Sequence, residues 1–102
     1  MQLSPGTRLR SAVDSTEVIV VRAPGGDVEV GCGGHPMIPV GQDQPAGVSI
    51  DPKWSGGTPI GKRYANEDAG LELLCTKAGE GSLSLDGTPL ELKAAKPLPA
   101  SD

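Results

Sequence analysis

The sequence predicts an all-β domain built from two related halves. Three observations predict it. The apolar residues fall in short β-branched and aliphatic runs, and no amphipathic helical pattern is present. The 102 residues include 15 glycines and 10 prolines, which cut the chain into short elements joined by turns. Sliding the chain about 53 positions along itself brings the two halves into correspondence.

The first strand signal is Glu17 to Ala23, EVIVVRA, too short for a typical helix and rich in Val and Ile. Pro24-Gly25-Gly26-Asp27 follows, and then Val28 to Cys32 alternates. With Gly25-Gly26 as a two-residue turn, a hairpin is expected in which Ala23 faces Val28, Val21 faces Val30 and Ile19 faces Cys32. Arg22 and Glu29 then form an opposite-charge pair on the other side. A second hairpin is expected from Leu71 to Thr76, a turn at Ala78 to Gly81 and a return strand at Ser82 to Leu85, with Asp86-Gly87 as a further tight turn. Between the halves, Ile38 to Ile60 reads as a long ordered connection holding one short strand at Val48 to Ile50. The prolines beyond Lys93 exclude a helix interior and imply an extended tail. The expected organisation is one domain over 1–102, with unit one about 6–37, connection 38–60, unit two about 61–92 and tail 93–102.

Composition narrows the function. With no Phe, one Trp and one Tyr, the core must be aliphatic and thin, so a metal, a disulfide or a partner surface is expected to help hold it. The net charge of -4, scattered basic residues and scarce aromatics argue against nucleic-acid binding. No apolar run reaches the roughly 18 residues needed to cross a bilayer. Residues 1–6 lack the features of a signal peptide, so a cytoplasmic location is expected, with Cys32 and Cys75 as reduced thiols.

The self-similarity is specific to certain residues. Val18, Val20 and Val21 match Leu71, Leu73 and Leu74; Gly26-Asp27 matches Gly79-Glu80; Gly34 matches Gly87; and Pro36-Met37 matches Pro89-Leu90. Upstream, after a small length difference, Gly6-Thr7-Arg8-Leu9 matches Gly61-Lys62-Arg63-Tyr64. The second unit, with Tyr64, Gly70, the glycine turn 79–81, Gly87 and Leu90, resembles desulforedoxin and the N-terminal domain of desulfoferrodoxin. The resemblance implies two rubredoxin-type β-hairpin units packed as a pseudo-dimer. It also implies iron held by four thiolates in each unit, from a CxxC knuckle and a later Cys-Cys pair. This chain departs from the pattern at those positions. Asn66, Ala69, Leu85 and Asp86 take the ligand places of unit two. In unit one Cys32 fits one place, Gly33 replaces its neighbour, and the knuckle has become Ser11 to Thr16. Four-sulfur coordination is impossible in either half.

Residual chemistry is sparse. Cys32-x-x-His35 has metal-ligand spacing, and with Asp14 it suggests a remodelled zinc or iron site; the plainer reading makes Cys32 a core residue and His35 a turn residue. Cys75 sits among apolar neighbours and reads as core. With a single histidine, no nucleophile–base pair is in view. Trp54, in a Gly/Pro-rich loop, is either a plug over the core or an anchor on a partner. The leading expectation is therefore a non-catalytic accessory or interaction module, without cofactor, that meets a protein partner, an enzyme subunit being one candidate, through Trp54 and the Pro-rich connection. The alternative is a small metalloprotein using Cys32 and His35.

Overall fold

The computed structural model describes residues 2–93, and these form two antiparallel sheets with no α-helix. The strands are β1 (Arg8–Arg10), β2 (Glu17–Arg22), β3 (Val30–Cys32), β4 (His35–Pro36), β5 (Ile38–Pro39), β6 (Arg63–Asn66), β7 (Leu71–Lys77), β8 (Leu83–Leu85), β9 (Thr88–Pro89) and β10 (Glu91–Lys93). A single 3₁₀ turn, Pro52–Trp54, interrupts the connection; Asp51 caps it by accepting the Lys53 amide, and Pro52 supplies the preset φ that the first turn tolerates. The all-β class is as the sequence predicts. No helix among the described residues is long and apolar enough to cross a membrane. The part of the expected tail beyond Lys93 lies outside the described residues.

One sheet has the order β10-β6-β7-β2-β1-β5 and the other β4-β3-β8-β9. Leu9, Val18, Val20, Leu71 and Leu73 of the larger sheet form one buried cluster with Val30, Cys32, Leu83 and Leu85 of the smaller, and Met37 and Leu90 join them. Aliphatic residues at alternate positions place one face of each sheet in this cluster. The outer face of the larger sheet holds a buried carboxylate, Glu72, with Lys93 Nζ at 2.6 Å and Arg63 Nη1 at 3.5 Å. Those two cations supply the compensation a buried charge requires and tie β10 and β6 to β7.

Neither predicted hairpin forms. β2 pairs with β1 on one edge and β7 on the other, and β3 pairs with β4 and β8. Strands that follow one another across Gly25-Gly26, and across Ala78 to Gly81, thus lie in different sheets. The apolar parity of β2 is accordingly the reverse of that expected: Val18 and Val20 are buried, whereas Val21 is exposed and Ile19 only half-buried. Arg22 pairs across the sheet with Glu72, not Glu29, and its guanidinium lies 3.9 Å from Glu67. The Val48 to Ile50 strand is absent; that stretch crosses the first half without ladder pairing.

The strand order reads the same from either end, and the registers agree with it in detail. Leu9 pairs with Val18, and Tyr64 with Leu73, each residue 55 positions beyond its counterpart. Gly31 pairs with Pro36, and Ser84 with Pro89, each 53 positions on. Arg10 pairs with Ile38, and Ala65 with Glu91, which combines both offsets. Where the halves meet, Ile19 pairs with Leu74 and Gly31 with Ser84, so each central residue faces its own counterpart, as a two-fold axis requires. The offset changes because seven residues, 23–29, join β2 to β3 while five, 78–82, join β7 to β8. The aliphatic match made from sequence is thereby corrected by two: Val18 corresponds to Leu73, and Val20 to Cys75.

Candidate functional site

Under these offsets Ser11 corresponds to Asn66, Asp14 to Ala69, Cys32 to Leu85 and Gly33 to Asp86. In the first half the loop from Ser11 to Thr16 closes on itself through oxygen acceptors. Ser11 Oγ accepts the amides of Val13 (3.1 Å) and Asp14 (3.2 Å), while Asp14 Oδ1 accepts that of Thr16 (3.0 Å). Such side-chain-to-backbone bonds stabilise a tight loop without a metal. In the second half Asn66 Oδ1 accepts the Ala69 amide at 3.1 Å, at the corresponding place.

The first loop is also sealed by the other half. Asp14 Oδ2 accepts the Gly81 amide at 2.7 Å and the Thr16 hydroxyl at 3.0 Å. Ser15 Oγ donates to the Ala78 carbonyl at 2.8 Å; Thr58 Oγ1, from the connection, holds the same turn by donating to the Gly81 carbonyl at 2.6 Å. The approach is close enough to require glycine. A methyl group on Gly81 would stand 2.7 Å from Cys32 Sγ and 2.9 Å from the Gly33 nitrogen, and one on Gly79 would collide with Thr16 Oγ1.

Cys32 is fully buried beside this cluster. Burial pushes its thiol up to about 11 and the Asp14 charge adds to the rise, against hydrogen bonds to Thr16 and Ser11 that lower it. In these surroundings it is a neutral thiol at physiological pH and not an activated nucleophile. For Asp14, burial raises the pKa, but the hydrogen bonds from Thr16, Gly81 and Ser11 together outweigh it, and the carboxyl titrates below its ordinary value. Cys75 is likewise buried, its thiol raised chiefly by desolvation, with Sγ donating to the Lys77 carbonyl at 3.2 Å.

His35 faces Cys32 across the β3–β4 turn, but its Nε2 lies 2.9 Å from the Ser49 carbonyl. No group of three or more His, Cys, Asp or Glu side chains among the described residues is arranged to hold a metal ion. The donors present do not fit iron held by four thiolates. The first half offers one neutral thiol, a carboxylate already accepting on both oxygens, a hydroxyl accepting two amides and a glycine. In the second half Leu85 is core, and Asp86 spends Oδ1 on the Glu29 amide at 2.8 Å.

Trp54 is half-buried. Its Cδ1 would lie 3.1 Å from a methyl on Gly34, and its carbonyl accepts the Ser82 amide at 2.7 Å. The connection thereby touches both halves of the smaller sheet. Sequence reading identifies Asp14 and Cys32 but misses Thr16, Gly79 and Gly81; the glycine turn signals a turn and carries no sign that it seats against the other half.

Comparison with protein-family models, curated proteins and solved structures finds no significant match.

Proposed function

We propose that the chain is a non-catalytic interaction module made of two fused desulforedoxin-like units whose ligand positions have passed from metal coordination to hydrogen bonding and packing. The observation that carries this reading is Asp14: at a knuckle position where the resemblance calls for a thiolate, its Oδ2 binds the amide of Gly81 from the opposite unit. The registers support it too, since strands, knuckles and turns correspond unit for unit at offsets of 55 and 53. A unit of some 40 residues usually needs a metal, a disulfide or a second copy in order to fold. Fusion supplies the second copy within one chain, and the two shared sheets take over the work of the ion.

The reading implies action through surfaces, as an accessory subunit to an enzyme. Trp54 is the proposed contact: held against Gly34 on one side, it leaves part of its indole open on an otherwise aromatic-poor exterior. The test is elemental analysis of the chain isolated from its native cell without added metal. The expected result is zinc and iron far below one equivalent; a full equivalent of either would return Cys32 and His35 to the role of ligands and end the proposal.

A further inference from the structure

The ion group on the outer face of the larger sheet has a counterpart place in the first half, and the two places are built differently. In the second half the charges alternate in sign along Arg63, Glu72, Lys93, Glu67 and Arg22. Lys93 Nζ lies 2.6 Å from Glu72 and 3.9 Å from Glu67, Arg63 lies 3.5 Å from Glu72, and Arg22 lies 3.9 Å from Glu67. Carried back by the offsets of 55 and 53, these five become Arg8, Glu17, Val40, Ala12 and Lys77. The Val40 amide donates to the Arg8 carbonyl at 3.2 Å where Lys93 pairs with Arg63, so the correspondence extends through Val40.

The first half therefore keeps a cation at each end and the carboxylate of Glu17, but aliphatic side chains replace the ammonium and the carboxylate between them. In their place is a cleft of about 330 Å³, lined by Arg8, Glu17, Ile19, Val40, Thr76 and Lys77. It lies toward β5, across the sheet from the β10 edge at which the described residues end. Among those residues Glu17 pairs with Lys77 alone, at 3.9 Å, and its side chain is 30% exposed against 4% for Glu72. Ile19 and Val40 form the apolar part of the lining.

We infer that this cleft binds a small zwitterion, an α-amino acid with an aliphatic side chain. The ammonium of the ligand takes the place of the Lys93 ammonium, against Glu17. Its carboxylate takes the place of that of Glu67, against Lys77, and its side chain lies on Ile19 and Val40. Only a ligand bearing both charges restores the alternation seen in the second half; a lone anion leaves Glu17 short of a cation, and a lone amine leaves Lys77 short of an acid. The cleft is at the small end of the range for ligand pockets, which suits a molecule of this size. The inference stands on the strand registers and the cleft, and goes beyond the reading of the chain as an interaction module.

The test titrates the full chain at low ionic strength with norleucine, with hexanoate, which lacks its ammonium, and with pentylamine, which lacks its carboxylate. Norleucine at millimolar concentration is expected to shift the amide resonances of Ile19, Val40 and Thr76, and each of the other two to bind at least about tenfold more weakly. Val40→Lys, which installs the ammonium that the second half carries, is expected to weaken norleucine binding by about tenfold or more. Val40 is exposed, so this variant retains the fold, checked by its melting curve. Glu17→Gln, which keeps the shape and removes the charge, is expected to show the same loss. No binding of norleucine, equal binding of hexanoate or of pentylamine, or indifference to both substitutions overturns the inference. None of these outcomes alters the metal content, so a failure here is distinct from a failure of the interaction-module reading.

Discussion

Gly81 and Asp14 are where the two halves touch most closely, and each makes a distinct demand on sequence. Gly81 must lack a side chain because Cys32 Sγ and the Gly33 nitrogen stand where a methyl would go. Gly81→Ala is expected to cost about 1–3 kcal/mol, the usual range for overpacking, read as a lower urea midpoint at unchanged slope. Gly25→Ala, where a methyl meets nothing within 4 Å, is expected to stay within about 0.5 kcal/mol of the parent. Asp14 adds a pH dependence. Its folded-state pKa is depressed below the unfolded value near 3.8, so its contribution is present above that pH and is lost as pH falls through the folded value. The unfolding midpoint is therefore expected to drop in acid below about pH 4, and Asp14→Asn to flatten that part of the profile. The residue scale is also where the sequence is least legible. Asp14 and Cys32 stand out by type and spacing, but the fit of Gly81 depends on a contact with a residue 67 positions away in the chain.

At the scale of elements, strand existence is written locally and strand pairing is not. Glu17 to Arg22 and Leu71 to Lys77 form strands where β-branched and aliphatic runs predict them. The hairpin expected through Gly25-Gly26 fails for a physical reason. β2 has only two edges, and both are taken, by β1 and by β7 from the other half. Turn chemistry and the Arg22–Glu29 charge pair are local signals, whereas an edge is awarded by the whole sheet. The one-residue error in parity at Val18 and Val20 follows from it, because those side chains answer to the shared core and not to β3. Nuclear Overhauser contacts decide the matter directly. Cross-strand contacts are expected between Ile19 and Leu74 and between Gly31 and Ser84; contacts from Arg22 to Glu29 and from Val21 to Val30 would instead restore the local hairpin. The internal correspondence was legible as a repeat, but the two-residue difference between the 23–29 and 78–82 segments became visible only through the hydrogen-bonded registers.

At the scale of the molecule, the chain has two cysteines, both buried as free thiols, and an aliphatic core without Phe. What compensates is that both sheets run across the boundary between the halves, with β2 beside β7 and β3 beside β8. Cutting that boundary would strip one edge from each of four strands and open the cluster formed by Val18, Val20, Leu73, Leu83 and their neighbours. The halves are therefore expected to fold as one cooperative unit. Differential scanning calorimetry of the chelator-treated chain tests this most directly. The account predicts a single transition whose calorimetric and van't Hoff enthalpies agree and whose midpoint is the same with and without chelator. Two separable transitions, or a midpoint that falls when metal is withdrawn, would contradict it.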